Sequence, residues 1–160
     1  KTSMACRIIE QFKNSNINAI KISPHFHETT LGLVSKSEKK GYSIYEETNR
    51  KSTKDTSRML NSGAHAVYFA KVWDNQLPEV LNEILKFIPQ DVPFICESPA
   101  LRNFVDPGVF IIMTSTTVNK HKVINHLQAL PHVMFKLEEL ADIETFPIGF
   151  EDGKWFYRQG

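Results

Sequence analysis

The chain has 160 residues, a net charge of +1 and an ordinary mix of apolar and charged side chains. That length supports one domain with a real core, and the near-neutral charge carries no electrostatic footprint for nucleic acid. No apolar run approaches the roughly 20 residues that span a bilayer, so neither nucleic acid nor a membrane is an expected partner.

In chain order, residues 2–12 carry Met4, Ile8, Ile9 and Phe12 at helical spacing, and Asn14-Ser15-Asn16 ends that helix. Residues 19–22 read as a short strand. Residues 23–52 are polar, with a charge run at 36–40, and read as a long loop insertion holding one strand at 42–46. Thr53 is the expected N-cap of a helix over 54–61, closed by Gly63. A strand follows at 66–70. A helix over 77–88 stops at Pro89, and a strand at 93–96 ends in Glu97. Residues 109–113 form the next strand, ending at Thr114. Asn119 caps a helix that runs to Leu130 before Pro131. A short strand at 133–135 and a short helix at 137–141 lead to a hairpin at 146–158 that turns on Glu151-Asp152-Gly153. Continuous apolar strands alternating with amphipathic helices predict an α/β fold with a mostly parallel sheet covered on both faces. Ligands in such folds bind beyond the carboxyl ends of the strands, where Glu97 and Thr114 fall.

Lys1-Thr2-Ser3 running straight into a helix matches the end of a phosphate loop, G-x-x-x-x-G-K-[ST], without its glycines. In that setting Lys1 reaches phosphates, Thr2 and Ser3 bind at the nucleotide, and the Thr2 hydroxyl holds Mg²⁺. The expected unit is a single P-loop NTPase-like domain over 1–160, lacking its first strand and glycine loop. A parallel sheet without that central strand would leave an open apolar slot. Glu97, directly after an apolar strand, is the candidate catalytic residue: a carboxylate there orients Mg²⁺ or its bound water. It reads equally as an acid capping the next turn through Ser98 and Pro99. Asp55 is a second metal-facing carboxylate, or only an acid in the first turn of a helix, where negative charge is favourable. Lys54 is a potential phosphate contact. His25 and His27 flank Phe26 and read as a substrate-facing or metal pair, or as an exposed loop. Arg102, in the loop after Glu97, could pair with an anionic substrate or stand solvated. Asn119-Lys120 lacks the acid that would read guanine, because the residue two further on is Lys122. Cys6 and Cys96 lie in apolar stretches and read as reduced, buried thiols, which points to the cytoplasm.

The order of these motifs resembles the P-loop family of molybdopterin-guanine dinucleotide biosynthesis protein B. The resemblance rests on Lys1-Thr2-Ser3, on Ile20-Lys21-Ile22-Ser23-Pro24-His25-Phe26-His27, on Lys54-Asp55-Thr56-Ser57-Arg58 with Ser62-Gly63-Ala64, and on Phe94-Ile95-Cys96-Glu97. It covers roughly residues 1–115. It implies GTP binding, Mg²⁺ near Thr2, Asp55 and Glu97, and help in attaching a nucleotide to molybdopterin. A partner enzyme of that biosynthesis and a homodimer fit the same picture. Ser23-Pro24 replaces the family's acid after the strand, and Ser98-Pro99 replaces its glycine. Three functions therefore stand: a GTP- or ATP-binding slow NTPase or accessory factor; a degenerate, non-catalytic binding module; and an ATP-dependent ligase acting on a small carboxylate.

Overall fold

Met4, Ala5, Ile8 and Ile9 share one side of α1 (Thr2–Phe12), and all four are buried in the computed structural model. The structure describes residues 1–26, 28–98, 100–117 and 125–159. After α1 the chain reverses at Asn16, whose left-handed backbone (φ 55°) suits asparagine. It then enters β1 (Asn18–Ser23). The remaining elements are β2 (Leu33–Lys39), β3 (Tyr42–Glu47), α2 (Asp55–Asn61), β4 (Val67–Val72), α3 (Leu77–Leu85), β5 (Phe94–Glu97), β6 (Ile111–Thr114), α4 (Asn125–Gln128), β7 (Val133–Lys136), β8 (Ile148–Glu151) and β9 (Lys154–Tyr157).

The main sheet has the order β2-β3-β4-β1-β5. β1 runs parallel to both neighbours, β4 and β5, whereas β3 is antiparallel to β4 and β2 antiparallel to β3. The sheet is therefore mixed, which corrects the mostly parallel expectation. The cause lies in residues 23–52, expected as a loop with one strand. Two strands form there, joined by the tight turn Lys40-Gly41, with Gly41 at φ 94°. This hairpin adds to the free side of β4. β2 escapes a reading by apolar pattern because Ser35, Lys36, Glu38 and Lys39 make it a polar edge strand, and such composition discourages further pairing.

Each face of the sheet carries its own core. Ala19 and Val67 pack with Met4, Ile8 and Ile9 of α1 and Met59 and Leu60 of α2. On the other face, Ile20, Ile22, Tyr68, Ala70 and Val72 pack with Tyr42, Ile44 and the α3 residues Leu77, Val80, Leu81 and Ile84. The alternation along β1 and β4 produces this division, because successive strand residues point to opposite faces.

β6 and β7 form a separate parallel pair, and β8 and β9 a hairpin. The hairpin turns through Asp152 and Gly153, both with positive φ, as the Glu151-Asp152-Gly153 signal predicts. Ile95 of β5, Ile111 and Met113 of β6, and Phe135 of β7 all pack against the core that α1 and α2 share. β5 thus ends the main sheet, and the small β6-β7 sheet shares its core. Trp155 of the hairpin donates its indole N–H to the Phe94 carbonyl at 2.9 Å.

Two boundaries also differ from expectation. α3 closes at Leu85, and residues 86–88 continue it with tighter bonds from Lys86, Phe87 and Ile88 to carbonyls three residues back. The N-cap of α2 is Lys54, without a side-chain cap; Ser52 Oγ instead accepts from the Lys54 N–H and donates to Ser57 Oγ. Residues 137–142 coil as a 3-10 helix. Of the helix expected over 119–130, residues 119–124 lie outside the described residues, as does the Asn119-Lys120 pair, while α4 falls within its second half.

Candidate functional site

Parallel strands β1 and β5 pair in a register that sets Lys21 beside Glu97, both on the sheet face that carries α1 and α2. Glu97 is the last residue of β5. Thr2 is the first residue of α1, and Asp55 the first of α2. Strand ends and helix starts therefore converge at one edge, where open α/β sheets hold their ligands.

The side chains meet there. Thr2 donates its hydroxyl to Glu97 Oε2 at 2.9 Å. The Lys21 ammonium donates to Glu97 Oε1 at 2.8 Å and to Asp55 Oδ2 at 2.8 Å. Both oxygens of Glu97 are thus engaged, one by each neighbour. Arg58, one helical turn after Asp55, stands 3.7 Å from its second oxygen. Thr2 is buried, and the Lys21 and Glu97 side chains keep only 20% and 16% of their exposure, so water screens this pair poorly.

Charge states follow from these contacts. Burial pulls the Lys21 ammonium toward deprotonation, but hydrogen bonds and charge from Asp55 and Glu97 prevail and hold its pKa above the ordinary 10.5. Burial likewise favours a protonated Asp55. The Lys21 hydrogen bond and charge outweigh it, with smaller help from Thr2 and Arg58, and leave Asp55 below the ordinary 3.8. The cluster thus sets one ammonium between the carboxyl groups of Asp55 and Glu97. Cys96, next to Glu97 in sequence, packs on the opposite face, and burial pushes its thiol up to about 12. That thiol is no nucleophile.

Beside the cluster lies a cavity of about 380 Å³. Lys21 and Asp55 line one side of it, Phe69 and Leu33 give it apolar surface, and Lys71 and Ser23 add polar groups. Lys71 is buried, with its ammonium 5.3 Å from the centre of the Tyr45 ring.

Other residues singled out from the sequence fall in varied places. Lys1 is exposed at the head of α1, and its carbonyl accepts the Ala5 N–H. Ser3 Oγ accepts from Arg58 at 3.0 Å, so its hydroxyl is turned to α2. Lys54 is exposed and lines the cavity. His25 is exposed, and its backbone N–H reaches Ser23 Oγ. His27 lies outside the described residues. Arg102 is engaged within its own loop: it pairs with Asp106 at 2.6 Å, bonds the Val105 carbonyl and stacks over Phe110.

Two acidic or basic groups went unmarked as site residues. Lys21 sits inside an apolar strand, and its position before Ser23 at a strand end was the available signal. Glu47 is buried at the end of β3, where it accepts from Thr56 Oγ1 at 2.7 Å and from the Asn49 N–H at 2.8 Å. It ties β3 to the first turn of α2 and so steadies Asp55.

The donor set suits a hard divalent cation in part. Two carboxylates and a hydroxyl are oxygen ligands of the type Mg²⁺ takes. Among the described residues, no three His, Cys, Asp or Glu side chains come together as a metal cage. Mg²⁺ here would need phosphate oxygens and water to complete its shell, which is how it is held in triphosphate sites. Comparison with family models, curated proteins and solved structures finds no match.

Proposed function

We propose that this protein binds a nucleoside triphosphate, GTP or ATP, together with Mg²⁺ at the head of α1, and acts as a slow NTPase or accessory factor. One observation carries the reading: the Thr2 hydroxyl lies 2.9 Å from the Glu97 carboxylate, with Asp55 joined to the same cluster through Lys21. A helix-start hydroxyl and a strand-end carboxylate facing each other are the two protein groups a phosphate-bound Mg²⁺ uses. Bound there, Mg²⁺ would neutralise charge on the phosphate oxygens. Thr2 and Glu97 would orient it, Lys1 would reach the outer phosphates from its exposed position, and Glu97 would direct a water at the terminal phosphate.

The reading requires a glycine loop ahead of Lys1. The order of motifs along the chain favours a role in molybdenum cofactor biosynthesis, and the free thiols Cys6 and Cys96 favour a cytoplasmic location. No helix among the described residues is long and apolar enough to cross a membrane.

A second reading draws on the cavity of about 380 Å³ beside Lys21: an ATP-dependent enzyme that activates a small carboxylate held there. It differs in needing a second substrate before phosphate is released.

The test is Lys1→Ala in the intact protein. Triphosphate affinity should fall by roughly tenfold or more, the scale of losing a charged phosphate contact. Unchanged affinity removes Lys1 from the site.

A further inference from the structure

Lys21 occupies an unusual position for a strand lysine. Its ammonium lies 2.8 Å from one oxygen of Asp55 and 2.8 Å from one oxygen of Glu97. Those two carboxylates come from different elements, and their like charges would repel if left together without a cation. The Lys21 ammonium supplies that cation. Resting on the function proposed above, we infer that Lys21 is the resident cation of this site, excluding free Mg²⁺ and yielding only to Mg²⁺ that arrives on a triphosphate.

The argument has three parts. First, two carboxylates and one ammonium leave a net charge of only −1 at the cluster, before Arg58 is counted beside Asp55. Bare Mg²⁺, which sheds its water reluctantly, gains little from so weak a field. Second, the protein offers too few ligands to replace that water, since no third acid joins the described cluster. A triphosphate brings both the missing oxygens and the missing negative charge. Third, Lys21 has somewhere to go. It lines the cavity of about 380 Å³ beside the cluster, so a shift of its flexible four-carbon stem moves the ammonium away from Glu97 without disturbing β1. The strand itself stays paired on both sides. Metal entry is thereby coupled to nucleotide binding, and an idle site is not filled by ambient divalent ions.

The experiment measures binding of Mn²⁺ alone, by electron paramagnetic resonance, to intact wild-type protein, Lys21→Met and Lys21→Arg. Lys21→Met should bind Mn²⁺ roughly tenfold or more tightly than wild type, because a neutral chain leaves both carboxylates open. Lys21→Arg should bind as weakly as wild type. Equal affinity of Lys21→Met and wild type overturns the inference. A measurement on wild type alone guards against a variant that fails to fold. The side-chain ammonium NMR signal of Lys21, slowed in exchange by two carboxylate acceptors, should persist with Mg²⁺ alone. It should be lost with Mg²⁺ plus a non-hydrolysable GTP or ATP analogue. A signal that persists in the nucleotide-bound protein overturns the inference. Absence of any nucleotide binding instead overturns the proposed function, and the Mn²⁺ comparison still decides the role of Lys21.

Discussion

Replacing Glu97 by Gln keeps the shape of the side chain and removes its charge. Glu97 accepts from Thr2 at 2.9 Å and from Lys21 at 2.8 Å, and it is largely shielded from water. A glutamine offers one acceptor oxygen where the carboxylate offers two. If that oxygen faces Lys21, the amide N–H faces Thr2, whose hydroxyl must stop donating and accept instead, a neutral bond in place of a charge-assisted one. Hydrogen bonds to charged groups contribute about 1.5–3 kcal/mol, and breaking a fully buried pair costs about 3–5 kcal/mol. This pair keeps some exposure, and Lys21 retains Asp55, so a loss of about 2 kcal/mol is expected. In a protein of this length that lowers the melting temperature by about 4–8 °C. Urea unfolding of the two proteins should show a lower midpoint and the same slope. Thr2→Val alone and combined with Glu97→Gln completes a cycle, with a coupling of about 1 kcal/mol between the two sites. Equal stability of Glu97→Gln and wild type, together with additive single effects, would refute the geometry of the cluster itself.

Further outcomes follow from the same contacts. Asp55 has a folded-state pKa below the ordinary 3.8, so its contribution to stability is present above that value and declines as pH falls through the folded one. Asp55→Asn should therefore flatten the loss of urea resistance below about pH 4, and an unchanged acid slope would contradict this. Ile9 is fully buried between α1 and the sheet, so Ile9→Ala should cost about 2–5 kcal/mol in urea unfolding; under 1 kcal/mol would mean that α1 is not packed this way.

The legible parts of the fold were those whose pattern is set by burial. α1, α2, α3 and strands β1, β4 and β5 each carry apolar residues at the period of their element, because each buries one or both faces in a large core. That Glu97 and Thr2 could be singled out as candidates follows from the same patterns, which fix a strand end and a helix start, and the structure brings the two together. β2 was not, since an exposed edge strand has no apolar alternation to show. The direction of β3 was not either: strand pattern marks the faces of a strand, and the direction of pairing is set by its partners. Lys21 was hidden by its company. A single lysine within the strand Ala19-Ile20-Lys21-Ile22 carries no partner in its own sequence, and only the register with β5 sets it beside Glu97. Thr53 looked like a cap on residue type alone, but Ser52 makes the local bonds instead.

The proposed function holds only if the Thr2 hydroxyl and the Glu97 carboxylate, 2.9 Å apart, serve a metal–phosphate complex. Calorimetric titration of the intact protein with GTP and with ATP, each with and without Mg²⁺, tests this most directly. Triphosphate should bind in a Mg²⁺-dependent manner, and Thr2→Val should abolish the Mg²⁺ dependence. Triphosphate binding that is indifferent to Mg²⁺ and to Thr2, or absent under all four conditions, would contradict the account.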